Sequence, residues 1–179
     1  RDTVNAANPN KHAGMIYASN LCHEIAQNVG FTNLAEEIIN EDGTITTKTN
    51  TGDMVTCNLN SISLGRITDE ELEENIALQI RMLDNVISIN QAPVPESRMT
   101  SDKYRAIGLG TSGYHHYLVN HDIQWESDEH IEAADKLFEN IAYYAIKASM
   151  ELAKEKGAYP AFKGSEWETG EYFTRRGYT

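Results

Sequence analysis

Two long amphipathic helical patterns in the second half of the chain constrain its fold more than any other feature. Apolar residues recur at spacings of three and four residues, which places them on one face of a helix. We therefore predict helices over about 68–90 and about 127–156, each packed through its apolar face. The stripe residues are Leu72, Ile76, Ile80, Leu83 and Ile87 in the first pattern, and Ile131, Ala134, Phe138, Ile141, Ala145, Ala148 and Leu152 in the second.

The sequence also marks where these helices begin and end. Thr68 and Glu71 have the spacing of a capping box, in which a hydroxyl and a carboxylate satisfy backbone amides of the first turn. Ser127 is a suitable N-cap for the second helix, and Gly157 is placed to end it.

The first half of the chain favours loops and short strands. Residues 14–25 have the character of extended or loop structure, and Asp42-Gly43 is a turn signal that could close a short hairpin with residues 44–47. The segment 53–59, DMVTCNL, is the best strand candidate. Together with the helices, these segments predict a fold with short strands in its first half and mostly helix in its second half.

Composition excludes several classes of function. The formal net charge of −12 argues against a nucleic-acid polymer or an anionic membrane as a partner. The sequence contains no apolar run of the roughly 18 residues needed to cross a bilayer. With 179 residues, 40% of them hydrophobic, the chain can bury a sizeable core, and two cysteines are too few for a disulfide scaffold. We expect a cytoplasmic protein.

The segment SNLCHEI, residues 19–25, places three chemically active side chains close together. In an extended backbone Asn20, Cys22 and Glu24 share one face, while Leu21 and Ile25 on the other face are the natural core contacts. An amide, a thiol and a carboxylate in one row are unusual for packing alone. The pattern indicates a site of chemistry.

The residues by themselves leave two other interpretations of the cysteines open. Cys22 could be a hydrolytic nucleophile, although His23 projects to the opposite face of an extended segment and His12 cannot be placed. Cys22 and Cys57 could also be structural thiols, because unpaired cysteine is among the most buried residue types.

The segment GLGTSG, Gly108–Gly113, matches the dinucleotide fingerprint G-x-G-x-x-G. That fingerprint requires a hydrophobic strand before the first glycine and an acid after a second strand, and the neighbouring sequence provides neither. The pattern favours a structural glycine turn over a nucleotide-binding module.

A cluster of histidines and an acid is a conceivable metal site, formed by His115, His116, His121 and Asp122. Adjacent histidines on a helix point about 100° apart and are poor ligands for one metal ion. We therefore expect surface or core histidines. The aromatic stretches around Tyr143-Tyr144 and over 167–173 favour packing over base stacking, because no basic patch accompanies them.

The motifs considered together resemble the catalytic large (alpha) subunit of ribonucleotide reductase. The resemblance rests on SNLCHEI followed by TCNLNSISLG around Cys57, and it continues through LDNVISIN, YRAIGLGTSG and KGAYPAF. It covers nearly the whole chain and leans towards the class I enzymes, although the cobalamin-dependent class shares the core motif.

The resemblance implies a ten-stranded α/β barrel with a finger loop through its centre. Residues 1–179 would be part of that barrel domain, with the finger loop over about 14–30 and Cys22 at the loop tip. The strand with Cys57 would follow over about 53–59, and the glycine run would belong to the framework. The first residue is not methionine, and the family's phosphate loop, relay tyrosines and cysteine tail are absent, so we expect a fragment.

The resemblance also implies a mechanism. A radical on Cys22 would remove the 3′ hydrogen of a ribonucleotide, Glu24 would accept the proton of the 3′-hydroxyl, and Asn20 would orient the sugar. Leu21 and His23 would line the same pocket. Cys57 and a cysteine outside this chain would supply two electrons and become a disulfide.

The implied partners follow from that mechanism. They are a ribonucleoside di- or triphosphate, a radical-generating small subunit that contains a metal (or cobalamin in the second class), and a thioredoxin- or glutaredoxin-like reductant. A homodimer is expected for the complete enzyme, with ATP and deoxynucleotide effectors bound outside this segment and no cofactor within it. An inert structural piece remains an alternative, as does a nucleotide-binding module that uses Gly108–Gly113.

Overall fold

The protein was analysed as a computed structural model that describes residues 2–20 and 22–178. The chain forms seven α-helices and four strands within these residues. In chain order they are α1 (Asp2–Ala7), β1 (Asn33–Ile39), β2 (Ile45–Asn50), β3 (Leu59–Ser63), α2 (Leu72–Ile89), α3 (Pro95–Tyr104), β4 (Gly108–Ser112), α4 (Tyr114–Asn120), α5 (Asp128–Lys156), α6 (Glu166–Thr169) and α7 (Glu171–Arg175).

The chain divides into two compact units. Unit 1 comprises Arg1–Thr56, Gln91–Ala106 and Tyr159–Thr179, and unit 2 comprises Cys57–Asn90 and Ile107–Ala158. Unit 1 therefore contains the segment with Cys22, the β1–β2 hairpin and α3. Unit 2 contains Cys57, the β3–β4 pair and the two long helices.

The hairpin of unit 1 is formed by antiparallel β1 and β2, with Ile39 opposite Ile45 next to the turn. The carboxylate of Asp42 accepts hydrogen bonds from the backbone N–H of Thr44 at 2.9 Å and from its hydroxyl at 2.6 Å. Gly43 has φ of 83°, which a residue with a side chain rarely adopts. The predicted hairpin is confirmed, and every residue in both strands is exposed.

Helix α3 of unit 1 was not predicted from the sequence. Its segment, PESRMTSDKY, has no apolar stripe, and its buried residues are Ser97, Thr100 and Tyr104. The available signal was Pro95, because proline is favoured in the first helical turn.

The strand predicted over 53–59 begins only at Leu59. The backbone N–H of Asp53 donates to Gly30 O at 2.9 Å, and that of Met54 donates to the Thr100 hydroxyl at 2.8 Å. Because these amides bond to a loop and a helix, this part of the segment does not join a strand ladder.

In unit 2, β3 pairs in parallel with β4, from Leu59 opposite Gly108 to Ser63 opposite Ser112. The prediction of a turn is therefore wrong for Gly108–Ser112. Only Gly113 has turn geometry, with φ of 70°, immediately before α4. A Cβ on Gly108 would lie 2.0 Å from Leu59 Cδ2, so this glycine allows close approach of the strands.

Both long helices predicted from sequence are present in unit 2, and they pack against each other. The stripe of α2 is buried at all five predicted positions, and the Ser127 hydroxyl of α5 accepts from His130 N at 3.1 Å. The stripe of α5 is partly wrong, because Ile131 and Phe138 are exposed whereas Leu137 is buried. A heptad pattern drifts about 20° per repeat on a straight helix, so the buried face moves along this 29-residue helix.

The start of α2 differs slightly from expectation, and the aromatic tail is helical in part. Thr68 N donates to the Glu71 carboxylate at 2.9 Å as in a capping box, but the regular helix begins at Leu72. The tail over 159–175 contains short helices. In it the rings of Trp167 and Tyr172 are stacked, with 3.8 Å between their centroids. None of the described helices has the length and apolar character needed to cross a bilayer.

Candidate active site

The segment that carries Cys22 is a loop with closed ends. Near its base, Val29 N donates to Met15 O at 3.0 Å. The side chain of Asn5 from α1 holds Ile16 twice, donating to its carbonyl and accepting from its N–H, both at 2.8 Å. The base of the loop is thus held together by paired backbone and by α1.

The tip itself is a tight turn around Cys22. His23 has φ of 64°, and its N–H donates to Asn20 O at 3.1 Å. The side chain of Asn20 accepts from Ile25 N at 3.0 Å and donates to Glu24 Oε1 at 2.5 Å. The extended conformation expected for 19–25 is therefore wrong, because the chain turns between Asn20 and Ile25.

This turn brings an amide and a carboxylate together beside an exposed thiol. Asn20 and Glu24 lie on one side of the turn, as the sequence predicted, although a turn and not a strand places them there. Cys22, His23 and Glu24 are exposed, and Ile25 is buried as expected. Leu21, predicted to line the pocket, lies outside the described residues.

Cys57 lies in unit 2, immediately before β3. Its neighbour Asn58 accepts from Gly108 N at 2.9 Å through its carbonyl and donates to Leu83 O at 3.0 Å through its side chain. These bonds tie the start of β3 to β4 and α2. Both cysteines are exposed thiols, so their interpretation as buried structural cysteines is wrong.

Comparison with known proteins gives the family of this chain. The sequence model described as "Ribonucleotide reductase, barrel domain" matches residues 1–177. The chain belongs to the ribonucleotide reductase barrel-domain family. The described strands form one antiparallel and one parallel pair, so the described residues contain part of a barrel and no closed barrel.

Curated relatives carry the same kind of name. The chain is 53% identical over 184 residues to the ribonucleoside-diphosphate reductase subunit alpha of Treponema pallidum, covering 99% of this chain and 22% of that protein. It is 38% identical over 207 residues to the subunit alpha of Helicobacter pylori strain J99, covering 95% of this chain and 26% of that protein. It is 31% identical over 177 residues to the subunit alpha of Mycoplasma pneumoniae, covering 97% of this chain and 23% of that protein. The chain thus spans about a quarter or less of these relatives' length.

The glycine run has a structural place in this reductase-family segment. Gly108 and Gly110 lie within β4 and face close contacts from β3, with a Cβ on Gly110 reaching 3.0 Å from the Ser61 hydroxyl. Because β4 itself contains the first glycines, no strand leads into them as the dinucleotide fingerprint requires.

The histidines around α4 contact rings and neighbouring elements. His115 lies 6.0 Å from the ring of Trp125, and His121 lies 4.1 Å from the ring of Tyr117. The ring of His116 packs against Gly65, where a Cβ would approach it to 2.4 Å. Among residues 2–20 and 22–178, no group of three or more His, Cys, Asp or Glu side chains is arranged to hold a metal ion.

A buried network of asparagines supports the loop and was missed in the sequence. Asn8 donates to the Asn28 side chain at 2.7 Å, and Asn28 donates to Asn10 O at 2.9 Å. The hydroxyl of Tyr159 donates to the Asn10 side chain at 2.7 Å, and burial raises the pKa of that hydroxyl. Nothing in the sequence connects residues 8–10 to Asn28.

Proposed function

We propose that this chain carries the reacting thiol of a ribonucleoside-diphosphate reductase, which works as part of a longer polypeptide. The observation that carries the proposal is the turn at 20–25, where Asn20 and Glu24 are hydrogen-bonded beside the exposed Cys22. Membership of the barrel-domain family and the names of the relatives support the same reaction.

Cys22 starts the chemistry as a thiyl radical. It forms an S–H bond with the 3′ hydrogen atom of the ribonucleotide, and the broken C–H bond leaves an unpaired electron on the 3′ carbon. A thiol suits this step because sulfur can hold an unpaired electron and exchange a hydrogen atom reversibly. At the end of the cycle Cys22 returns the hydrogen atom and becomes a thiyl again.

Glu24 and Asn20 act on the hydroxyls of the sugar. The Glu24 carboxylate takes the proton of the 3′-hydroxyl, which promotes departure of the 2′-hydroxyl as water. Asn20 already donates a hydrogen bond to that carboxylate and orients it. We expect the backbone of His23 to line the same pocket.

Cys57 provides reducing equivalents together with a second cysteine outside this chain. The two thiols give two electrons and two protons and become a disulfide, so that a ribonucleotide and two thiols yield a deoxyribonucleotide, water and a disulfide. A thioredoxin- or glutaredoxin-like protein reduces the disulfide afterwards.

Other parts of the reaction lie outside this chain. A radical-generating small subunit with a metal, or cobalamin, would supply the oxidising equivalent for Cys22, and the described residues offer no donor set for such a metal. The substrate is a ribonucleoside di- or triphosphate, with ATP and deoxynucleotide effectors bound elsewhere. The complete enzyme is a cytoplasmic homodimer.

Replacing each cysteine by serine in the complete polypeptide tests this proposal, with substrate tritiated at the 3′ position. Cys22→Ser should release no tritium and form no product. Cys57→Ser should still cleave the 3′ carbon–hydrogen bond while product formation stops. Tritium release by Cys22→Ser, or none by Cys57→Ser, would show that the two roles are assigned wrongly.

A further inference from the structure

The side chain of Asp53, in the part of unit 1 that follows the hairpin, is held by three hydrogen-bond donors. Its carboxylate accepts hydrogen bonds from Gly30 N at 2.9 Å, Lys103 Nζ at 3.0 Å and Tyr104 Oη at 3.2 Å. The side chain is only 9% exposed, and Tyr104 is buried as well. A nearly buried carboxylate with three donors is well fixed in space.

Asp53 also pairs with Gly30 at the base of the β1–β2 hairpin, and we call this pair the neck of the hairpin. Its backbone N–H donates to Gly30 O at 2.9 Å, so Gly30 and Asp53 bind each other in both directions. Gly52 N donates to the Thr32 hydroxyl at 3.0 Å next to this pair. Residues 31–52 therefore begin and end at one point, at the end of the Cys22 loop.

Helix α3 supports the segment that leads from Asp53 towards Cys57. The Thr56 hydroxyl lies 2.8 Å from the Ser101 hydroxyl, and Met54 N donates to the Thr100 hydroxyl at 2.8 Å. Gln27, from the Cys22 loop, donates to Thr56 O at 3.3 Å. The loop and the segment before Cys57 thus share one support.

We propose that Asp53 is a positioning residue. It fixes both the end of the Cys22 loop and the segment that precedes Cys57 to the same helix, α3. This inference rests on the proposed function, because it is the thiol of Cys22 whose placement matters for the reaction. Asp53 acts through Gly30, Lys103 and Tyr104 and does not itself touch the substrate.

The positive charge of Lys103 beside the Asp53 carboxylate is consistent with this role. Burial lowers the pKa of Lys103, but its hydrogen bonds to Tyr104 and Asp53 outweigh burial and leave that pKa raised. Lys103 also lies 4.6 Å from the centre of the Tyr104 ring. The cation is therefore retained at neutral pH, where it faces the carboxylate.

The test compares Asp53→Ala and Asp53→Asn with Glu166→Ala in the complete polypeptide. Glu166 is a fair control, because it is also a buried carboxylate of unit 1 with two cationic partners, Lys11 and Arg175. Three quantities are measured on each preparation: amide hydrogen exchange of residues 22–30, substrate affinity and single-turnover rate per folded molecule.

We expect Asp53→Ala to speed exchange over 22–30 by about tenfold or more, since a charged hydrogen-bond acceptor is lost. Its single-turnover rate should fall by about tenfold or more while substrate affinity changes less than about twofold. Asp53→Asn, whose amide oxygen can still accept from Gly30, should lie between Asp53→Ala and wild type. It is also the informative variant if the alanine variant does not fold.

Equal turnover per folded molecule in Asp53→Ala and Glu166→Ala would overturn the proposal, as would unchanged exchange over 22–30 in both Asp53 variants. If the wild-type enzyme forms no deoxynucleotide, the proposed function fails. The exchange measurement then decides by itself whether Asp53 fixes the loop.

Discussion

A single asparagine organises the candidate site at the scale of residues. Asn20 uses its side-chain oxygen to hold the backbone of Ile25 and its amide group to hold Glu24, so the turn and the carboxylate are fixed by one residue. The thiol of Cys22 lies between them in the chain and is exposed to solvent.

Glu24→Gln in the complete polypeptide should separate binding from catalysis. Glutamine retains the shape of glutamate and can still accept the hydrogen bond from Asn20, but its amide cannot take up a proton. We expect nearly normal substrate affinity with a single-turnover rate lower by about 100-fold or more. Thermal stability, affinity and single-turnover rate measured on one preparation provide the check.

The opposite pattern would indicate a structural glutamate. If Glu24→Gln lowers stability or affinity and leaves the rate per bound substrate nearly unchanged, the carboxylate serves the turn and is not the base. A variant with normal folding, affinity and rate would remove Glu24 from the mechanism altogether.

The sequence predicted the identity of these residues better than their conformation. Asn20, Cys22 and Glu24 were selected from their chemistry and from the family resemblance, and the structure confirms that Asn20 and Glu24 are adjacent. The positive φ of His23 has no signal in the sequence, because glycine is the residue that usually marks such a turn.

At the scale of elements, local signals predicted the long helices and the hairpin turn, and they failed where partners are distant. The pairing of β3 with β4 joins Leu59 to Gly108, and the identity of neither residue indicates the other. Helix α3 was missed because it buries hydroxyls of Ser97 and Thr100 where an apolar stripe would be expected.

The cap of α5 gives a prediction at this scale. Ser127→Ala removes the hydroxyl that accepts from His130 N, and the free energy of unfolding should fall by about 1 kcal/mol. Ser149→Ala is the matched control, because Ser149 is an exposed residue in the middle of the same helix. Urea titration should show no loss for the control. Equal losses in both variants would mean that the cap contributes nothing.

The neck of the hairpin gives a second prediction at the scale of elements. A Cβ on Gly52 would lie 2.2 Å from Gly30 O and 2.6 Å from Thr32 N, and neither backbone atom can move away freely. Gly52→Ala should therefore destabilise the protein by about 1–3 kcal/mol, as overpacking does elsewhere. Thr51→Ala, at the exposed neighbouring position, should be close to neutral in the same thermal melts. A neutral Gly52→Ala would show that the neck opens at little cost.

At the scale of the whole molecule, the ends of the described chain meet in an ion cluster of unit 1. Lys11 binds the Glu166 carboxylate at 2.7 Å and Arg175 binds it at 2.5 Å. The hydrogen bond from Lys11, followed by that from Arg175, lowers the pKa of Glu166 and outweighs burial, which raises it. The charged form of this carboxylate is thus favoured in the folded state.

This cluster should make stability depend on pH. Because the pKa of Glu166 is lower in the folded than in the unfolded state, its contribution is complete above the ordinary glutamate pKa of about 4.3 and is lost as pH falls through the folded value. Glu166→Gln should flatten the decline in unfolding free energy between about pH 5 and pH 3. An unchanged decline would place the acid sensitivity in other groups.

The 179-residue chain alone should form no deoxynucleotide when substrate, radical subunit and reductant are added. Its parallel β3–β4 pair has two strands, and the strand edges have no further partners among the described residues. Product above background would show that this segment is sufficient for catalysis.

The closed neck at Gly30 and Asp53 has a consequence for how such proteins are compared and engineered. Because both strands of the hairpin beyond it are exposed, the length of the hairpin can change without opening the Gly30–Asp53 pair. A search for homologues that demands a fixed interval between the two cysteines would therefore discard true members. The same hairpin is the place to graft an epitope or a fluorescent reporter.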